Sequence, residues 1–178
     1  MSPDAPRTAV PHPAALAGAR VDARVTDCRQ DGALYWDLRV EAPGLPAGEP
    51  GQFSLLAPAA RGAWDPLLPR PLSLLDAGGG WQRFLFKVAG RGTAQLAALH
   101  AGDVLALIGP LGRPFSGLPA AAVGVPVDRA SVPALVLVGG GVGIPPLHFL
   151  ARRLAAAGRP CRLVFGFNRA AEIPRALL

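Results

Sequence analysis

The spacing of apolar residues changes once along this chain, and that change limits the folds it can adopt. In the first part, apolar and polar residues alternate; the clearest run places Leu34, Trp36, Leu38 and Val40 on one face and Tyr35, Asp37, Arg39 and Glu41 on the other. A period of two is typical of half-buried antiparallel strands. Asp31-Gly32, just before this run, is a hairpin signal.

Six such runs predict an all-β, antiparallel six-stranded barrel over residues 19–116. They begin at Val21 and Leu34 and continue over 52–57, 71–76, 81–89 and 103–109, with a turn at 77–80. Thr93–Ala101 predicts one short helix, with Thr93 as its N-cap. Residues 1–18, rich in proline and alanine, are expected to form a loose leader.

The later pattern is that of a parallel α/β domain. A stretch at 117–132, rich in proline, alanine and glycine, is interpreted as a linker. Pro133–Val138 is continuously apolar, a glycine-rich turn follows, and a helix ending at Gly158 leads to a second apolar strand at Cys161–Phe167. The helix is marked by Leu147, Leu150, Ala151 and Leu154. We therefore predict the start of an α/β parallel-sheet nucleotide-binding domain, incomplete, over residues 133–178.

Charge and cysteine content narrow the function. The formal net charge is +6, and Lys87 is the only lysine, so the positive charge is almost entirely arginine. The arginines are scattered rather than clustered with aromatics, which disfavours nucleic-acid binding and favours phosphates or an acidic partner. Cys28 and Cys161 lie far apart in predicted strands, which is typical of reduced thiols and a cytoplasmic protein. The uncharged run 132–151 is interrupted by glycines and prolines, so we expect no membrane span.

Two motifs in the predicted barrel favour phosphate binding. Arg70-Pro71-Leu72-Ser73 places a guanidinium and a proline of fixed φ at the start of a strand, where a pyrophosphate and a ring could both be held. Gly92 and Thr93 stand at a helix start, where free N–H groups and a hydroxyl attract anions. Each has a simpler interpretation, as an edge-strand start and a plain N-cap. Phe86 and its neighbours are open to two roles as well, as cover for a bound ring cofactor or as barrel core.

A third motif, Gly139–Pro146, lies between an apolar strand and an amphipathic helix, as a dinucleotide loop does. It departs from G-x-G-x-x-G, because Pro146 takes the third glycine position. No acidic residue follows about twenty positions on; Asn168-Arg169 stands there instead. A tight strand-to-helix turn is the alternative interpretation. His148 is expected to be a helix residue rather than a catalyst, and Ser73 has no base partner that would make it a nucleophile.

Taken in order, these motifs resemble the ferredoxin–NADP reductase superfamily, and more narrowly the electron-transfer subunits of class 1B dihydroorotate dehydrogenases. The matching segments are Pro50-Gly51-Gln52-Phe53, Asp65–Ser73, Val88–Thr93, Gly102-Asp103, Gly109-Pro110-Leu111-Gly112 and Val138–Leu147. The resemblance implies an FAD-binding barrel of the ferredoxin-reductase type. It also implies NADH as electron donor and a dihydroorotate dehydrogenase catalytic subunit as partner in pyrimidine synthesis.

The resemblance also implies a set of cofactor contacts. FAD would lie against Arg70, Pro71, Leu72, Ser73, Leu85, Phe86, Lys87, Gly92 and Thr93, and NADH would approach Gly139, Gly140, Gly141 and Gly143. Members of the family also hold a [2Fe-2S] cluster on four cysteines near the C-terminus, and those cysteines are absent from this chain. The chain is thus interpreted as a fragment or as a shortened variant, whose NADH turnover alone is not assured.

Two other functions stay open at this level. One is a reductase subunit for another acceptor, such as a glutamate synthase-like or sulfur-reducing partner. The other is a non-catalytic barrel that binds an anion or an acidic protein through its arginines.

Overall fold

A computed structural model describes residues 19–57, 68–115, 135–159 and 161–178. The predicted leader at 1–18 and the predicted linker at 117–132 lie outside these ranges.

Within residues 19–57 and 68–111, six strands form a closed antiparallel barrel. These are β1 (Ala19–Asp31), β2 (Tyr35–Glu41), β3 (Phe53–Ala57), β4 (Arg70–Gly78), β5 (Trp81–Lys87) and β6 (Val104–Leu111). Around the barrel they run in the order β1-β2-β5-β4-β3-β6. The six-stranded barrel predicted from the alternating runs is confirmed.

Alternate residues of each strand fill the barrel interior. The fully buried apolar side chains there include Leu38, Leu56, Leu74, Phe84, Leu105 and Leu107. Each contributes about 1.5–3 kcal/mol by leaving water. The helix α1 (Arg91–Ala97) adds Leu96, which is 0% exposed in the same cluster.

Helix α1 begins earlier than the sequence indicated. Its N-cap is Gly90, so Thr93 is the third helical residue rather than the N-cap, and the helix ends at Ala97 rather than Ala101. The extended backbone of Gly90 already supplies the entry into the helix, which moves the start upstream.

Both faces of β2 are covered, which the alternation did not indicate. Tyr35 and Asp37, expected on a polar outer face, are 1% and 2% exposed, whereas Leu34 is 43% exposed in the hairpin turn. Asp37 is buried by a two-pronged ion pair with Arg83, whose Nε and Nη2 lie 2.8 and 2.5 Å from its carboxylate oxygens. Tyr35 is covered by the C-terminal segment.

A small parallel unit follows, as predicted. It contains β7 (Val136–Gly140), a 3-10 turn at Gly141–Gly143, α2 (Ile144–Ala156) and β8 (Arg162–Gly166), with β7 and β8 paired in parallel. Gly158, at φ +68°, lies in the left-handed region just after the helix, where glycine ends helices most readily.

Helix α2 packs on the outside of β4. Phe149 is 0% exposed and joins the barrel's apolar cluster. Arg152 Nη1 lies 2.5 Å from Asp76 Oδ2, and Arg153 donates to the Ala77 carbonyl at 3.3 Å. One apolar anchor and two polar contacts therefore fix the second unit against the barrel.

The C-terminal segment is fastened to the hairpin between β1 and β2. The buried carboxylate of Asp31 accepts hydrogen bonds from the main-chain N–H groups of Arg175 and Ala176, both at 2.8 Å. Ala33 donates its N–H to the Ala171 carbonyl at 3.0 Å. These bonds bind the end of the described chain to its first hairpin.

Replacing Asp31 by alanine tests this attachment. Loss of two charge-assisted hydrogen bonds is expected to lower the free energy of unfolding by about 1–3 kcal/mol and to loosen residues 170–178 first. Denaturant unfolding and amide hydrogen exchange measure the two effects. Glu41→Ala, which removes only an exposed pair with Arg39 at 3.5 Å, is the control and should cost less than about 1 kcal/mol. Unchanged exchange at 170–178 in Asp31→Ala would contradict the assignment.

Candidate functional site

The strands β4 and β5 separate part of the way along the barrel. Their last ladder pair on this side is Leu74 with Phe84. Beyond it, among the described strands, 70–73 of β4 pair only with β3, and 85–87 of β5 pair only with β2. Successive residues of a strand turn their N–H and C=O groups to opposite sides, so both segments present main-chain polar groups to the gap. We call this gap the β4–β5 seam.

The β4–β5 seam joins two sets of residues that the family resemblance assigns to one site. Arg70-Pro71-Leu72-Ser73 forms one border, and Leu85-Phe86-Lys87 forms the other. The motifs are adjacent in space although more than ten residues separate them in sequence. A planar ring with polar edges is the kind of ligand that such a gap can accept through main-chain hydrogen bonds.

Arg70 extends to the start of α1. Its guanidinium lies so close to Gly92 that a Cβ at that glycine would collide with Nε and stand 2.5 Å from Cζ. Nη1 donates to the Leu68 carbonyl. Gly92 and Thr93 are in the first helical turn, where N–H groups have no acceptor within the helix. A guanidinium and helix-start N–H groups thus meet at one point, which favours a phosphate group.

The hydroxyl of Thr93 is occupied in holding this loop together. Thr93 Oγ1 accepts from the N–H groups of Ala89 and Gly90 at 2.9 and 3.1 Å, and donates to the Gly90 carbonyl at 2.9 Å. Its proton is therefore not free for a ligand. The contribution of Thr93 to a site is limited to its main chain and to the shape of the turn.

The border residues of β4 differ in accessibility. Pro71 is exposed, Leu72 packs partly against the barrel interior, and Ser73 is half-buried. The Ser73 hydroxyl makes no hydrogen bond with any described residue. Pro71 and Ser73 therefore offer an apolar ring and a free hydroxyl on the outer side of the barrel.

The border residues of β5 point in opposite directions. Phe86 is 2% exposed and belongs to the barrel interior, so the core interpretation of its ring is confirmed and only its main chain borders the seam. Leu85 is buried on the outer face, beside Tyr35 and Leu75. Lys87 Nζ lies 4.7 Å from the centre of the Tyr35 ring and 3.8 Å from Glu172 Oε2.

Two residues of this neighbourhood were not singled out from the sequence. Tyr35 faces Lys87 as its cross-strand partner, and among the described residues its buried hydroxyl finds no hydrogen-bond partner. Glu172 reaches Lys87 from the C-terminal segment. Period-two spacing marks Tyr35 only as outward-facing; the order of strands around the barrel, which spacing does not reveal, brings it to the site.

The glycine-rich turn has divided roles. A Cβ at Gly139 would stand 2.8 Å from Leu147 Cδ1, so this glycine allows α2 to pack on β7. Gly141 has φ +57°, in the left-handed region. A Cβ at Gly140 would make only an ordinary contact, 3.7 Å from the Gly166 carbonyl oxygen, and one at Gly143 would meet nothing within 4 Å. The main chain at these two positions is therefore open to a ligand.

Two prolines change what this turn can donate. Pro145 and Pro146 occupy the first turn of α2 and have no N–H, so the N-terminus of α2 offers fewer donors than a usual phosphate loop. The N–H groups of 141–143 remain as the donors nearest the strand end. His148 follows on the same helix, and burial together with the charge of Arg152 lowers the pKa of its imidazole. It is neutral near pH 7, in agreement with a packing role.

The two cysteines, Cys28 and Cys161, are both free thiols. Burial, followed by the charges of Asp27 and Asp37, raises the pKa of Cys28 to about 11, so its thiol is protonated at neutral pH. Among the described residues no three histidines, cysteines or carboxylates converge as a metal site. In the same part of the chain, none of the helices has the length and apolar character needed to cross a bilayer.

Comparison with known proteins identifies sequence relatives of this chain. Dihydroorotate dehydrogenase B (NAD(+)) electron transfer subunits are 42% identical over 127 residues in Bacillus caldolyticus and 33% identical over 126 residues in Listeria welshimeri. These matches cover 70% and 69% of this chain but 45% and 44% of the relatives, so the chain spans less than half of their length. No family model matches the chain.

Two solved structures, both of reductases, have a fold similar to that of this chain. An NADH-dependent reduced ferredoxin–NADP oxidoreductase aligns with a TM-score of 0.65 at 25% identity, over 85% of this chain and 50% of that one. Phthalate dioxygenase reductase aligns with a TM-score of 0.65 at 22% identity, over 89% and 47%. In both, an arrangement like that of this chain makes up about half of a longer polypeptide.

Replacing Gly92 by alanine tests the contact with Arg70. The new methyl group displaces the guanidinium, which is the far end of a flexible side chain, so the fold is retained while affinity for inorganic pyrophosphate falls about tenfold. Calorimetric titration measures the affinity. Gly90→Ala is the matched control, because a Cβ at that extended residue meets nothing within 4 Å. Equal losses in both variants would show that Arg70 does not act through this contact.

Proposed function

Because this chain belongs to the ferredoxin–NADP reductase superfamily, with dihydroorotate dehydrogenase B electron transfer subunits as its sequence relatives, we propose that it is a flavoprotein that carries electrons. It takes them from NADH through FAD and passes them to a dihydroorotate dehydrogenase catalytic subunit in pyrimidine synthesis. The cytoplasm is the proposed compartment.

The β4–β5 seam is the observation that carries this proposal. The residues expected to touch FAD lie on its two borders, and Arg70 reaches from one border to Gly92 at the start of α1. The main-chain groups of the seam, the Pro71 ring and the Ser73 hydroxyl would hold an isoalloxazine. The Arg70 guanidinium and the first turn of α1 would hold the pyrophosphate. The residues present therefore fit FAD.

FAD supplies the redox chemistry, accepting a hydride and releasing electrons singly. The chain's own residues position and bind. Arg70 balances the negative charge of the pyrophosphate, and Thr93 holds the loop that carries the first-turn N–H groups. Lys87 stays beside the seam because Tyr35 and Glu172 hold its ammonium group.

The glycine-rich turn is the proposed approach for nicotinamide. The main chain at Gly140 and Gly143 is open, and the turn contacts β5, so a dinucleotide bound there lies next to the seam. Gly139 gives α2 room to pack on β7, and Gly141 takes the left-handed conformation of the turn while its N–H remains among the nearest donors. Docking of α2 through Phe149 and Arg152 fixes this turn relative to the barrel. The proposed domains are residues 19–116 for FAD and 133–178 for the nicotinamide nucleotide.

A [2Fe-2S] cluster does not fit the residues of this chain. The sequence has two cysteines, whereas such a cluster takes four ligands. One of the two, Cys28, is a protonated and partly buried thiol that donates a hydrogen bond to the Leu96 carbonyl. No step of the proposal passes through a cluster on this chain.

Flavin binding is the first test. The purified chain, refolded or reconstituted with FAD, should show a flavin absorption spectrum, and Arg70→Ala should weaken FAD binding by about 1.5–3 kcal/mol through loss of a charge-assisted contact. Fluorescence titration measures the dissociation constant. Arg20→Ala, an exposed arginine on β1, is the control and should leave it unchanged. A colourless protein that takes up no FAD would defeat the proposal.

The partner is tested separately by co-expression. The tagged chain should co-purify with the dihydroorotate-oxidising subunit. Once loaded with FAD, it should carry electrons between that subunit and a nicotinamide donor. A glutamate synthase-type acceptor subunit expressed in parallel is the control. If the chain co-purified with the glutamate synthase-type subunit alone, it would be assigned to another reductase. If it bound an acidic protein in a salt-sensitive way and took up no flavin, it would be a binding module.

A further inference from the structure

The parallel sheet of β7 and β8 has one face against α2 and one face away from it. Leu137 is buried, and a Cβ at Gly139 would stand 2.8 Å from Leu147 Cδ1, so these two positions of β7 face the helix. Alternate residues of a strand point to opposite faces, and register partners in a parallel pair share a face. The side chains on the face away from α2 are therefore Val136, Val138, Arg162 and Val164. We call these four residues the β7–β8 outer face.

The β7–β8 outer face is apolar and open. Val136, Val138 and Val164 are 49%, 68% and 53% exposed. Val138 and Val164 are register partners, and Val136 lies two residues along the same strand, so the three valines form one continuous patch. Isolated exposed valines are ordinary, whereas a continuous apolar patch marks a contact surface, and parallel sheets are normally covered on both faces.

The charge beside this patch favours an acidic partner. Arg162 is exposed and forms no ion pair with any described residue. Residues 135–178 contain six arginines and one carboxylate side chain, that of Glu172, which lies 3.8 Å from Lys87 Nζ. A second copy of this chain would bring another Arg162 and a net charge of +6 against the same charges. A partner with carboxylates beside an apolar surface would complement both features of the face.

We propose that the β7–β8 outer face binds an amphipathic α-helix of another protein, with an apolar stripe and with aspartate or glutamate beside that stripe. Helices are the elements that cover the faces of parallel sheets, and an apolar stripe at three- and four-residue spacing matches a flat apolar patch. The stripe packs on the three valines, and the carboxylates pair with Arg162. No residue of this face borders the β4–β5 seam, so the inference goes beyond the proposed function and does not require bound FAD.

A pair of synthetic peptides tests the proposal on the full chain. One is a fluorescent helix of about eighteen residues with leucine and alanine on one face and glutamate on the other, and the second has lysine in place of each glutamate. Measured by fluorescence anisotropy, the glutamate peptide should bind about tenfold more tightly, and the difference should shrink as salt rises. Val138→Ser should weaken binding of the glutamate peptide about tenfold. Arg162→Ala should bring the two peptides within about threefold of each other.

Val104→Ser is the matched control, because Val104 is a valine of similar exposure, 51%, on strand β6 of the barrel. It should leave the affinity unchanged. Equal affinity for the two peptides, or equal loss in Val104→Ser and Val138→Ser, would overturn the proposal.

Two other occupants are separated by further measurements. Sedimentation velocity of the chain alone would assign the face to a second copy if it showed a dimer that Val138→Ser dissociates. Vesicles of phosphatidylglycerol that bound the chain more tightly than the glutamate peptide would assign it to a membrane surface. Either result would overturn the proposal, whereas a monomer that prefers the glutamate peptide supports it. FAD uptake, measured in the same preparations, reports on the proposed function independently.

Discussion

The end of the β4–β5 ladder at Leu74 and Phe84 is the constraint on which the proposed chemistry depends. A barrel of this size normally satisfies its main-chain groups by pairing each strand with two neighbours. Here 70–73 of β4 and 85–87 of β5 each keep one neighbouring strand, and on the other side they pair with no described strand, although the barrel is closed. The interior remains apolar beneath the seam, because Phe84, Phe86 and Leu74 fill it.

A second requirement is that the parallel unit be held against this same side. Phe149 provides the apolar contact of this attachment. The polar contacts are the ion pair between Asp76 and Arg152 and the hydrogen bonds that the Asp31 carboxylate accepts from the C-terminal segment. The apolar anchor gives most of the free energy, since exposed ion pairs contribute little. The polar contacts fix direction and register. Together they set the separation between the glycine-rich turn and the seam.

Much of the architecture was predictable from spacing alone. Alternation gave the six strands, and the run before Gly139 with the helix ending at Gly158 gave the parallel unit. What spacing could not give was which outward-facing residues become buried. Tyr35 and Asp37 look polar-facing by period, yet Asp37 is buried by Arg83 and Tyr35 by a segment more than a hundred residues away. Phe149 was missed for the same reason, because its partner surface is made by the barrel.

The candidate site shows the same division between local and distant information. The motif residues at 70–73 and at 92–93 were identified from local chemistry, and the contact of Arg70 with Gly92 joins them. The role of Thr93 as a loop brace was not visible, since it depends on the helix starting at Gly90. The expected FAD and nicotinamide contacts themselves remain predictions.

The near-absence of lysine has a practical consequence. Lys87 carries the single side-chain amine of the sequence, and it lies between the Tyr35 ring and Glu172 at the border of the seam. Acylating reagents react with amines and not with guanidinium groups. They would therefore modify Lys87 and the N-terminal amine. A fluorophore attached to Lys87 would report on two events. One is detachment of the C-terminal segment, and the other is binding of a ligand in the β4–β5 seam.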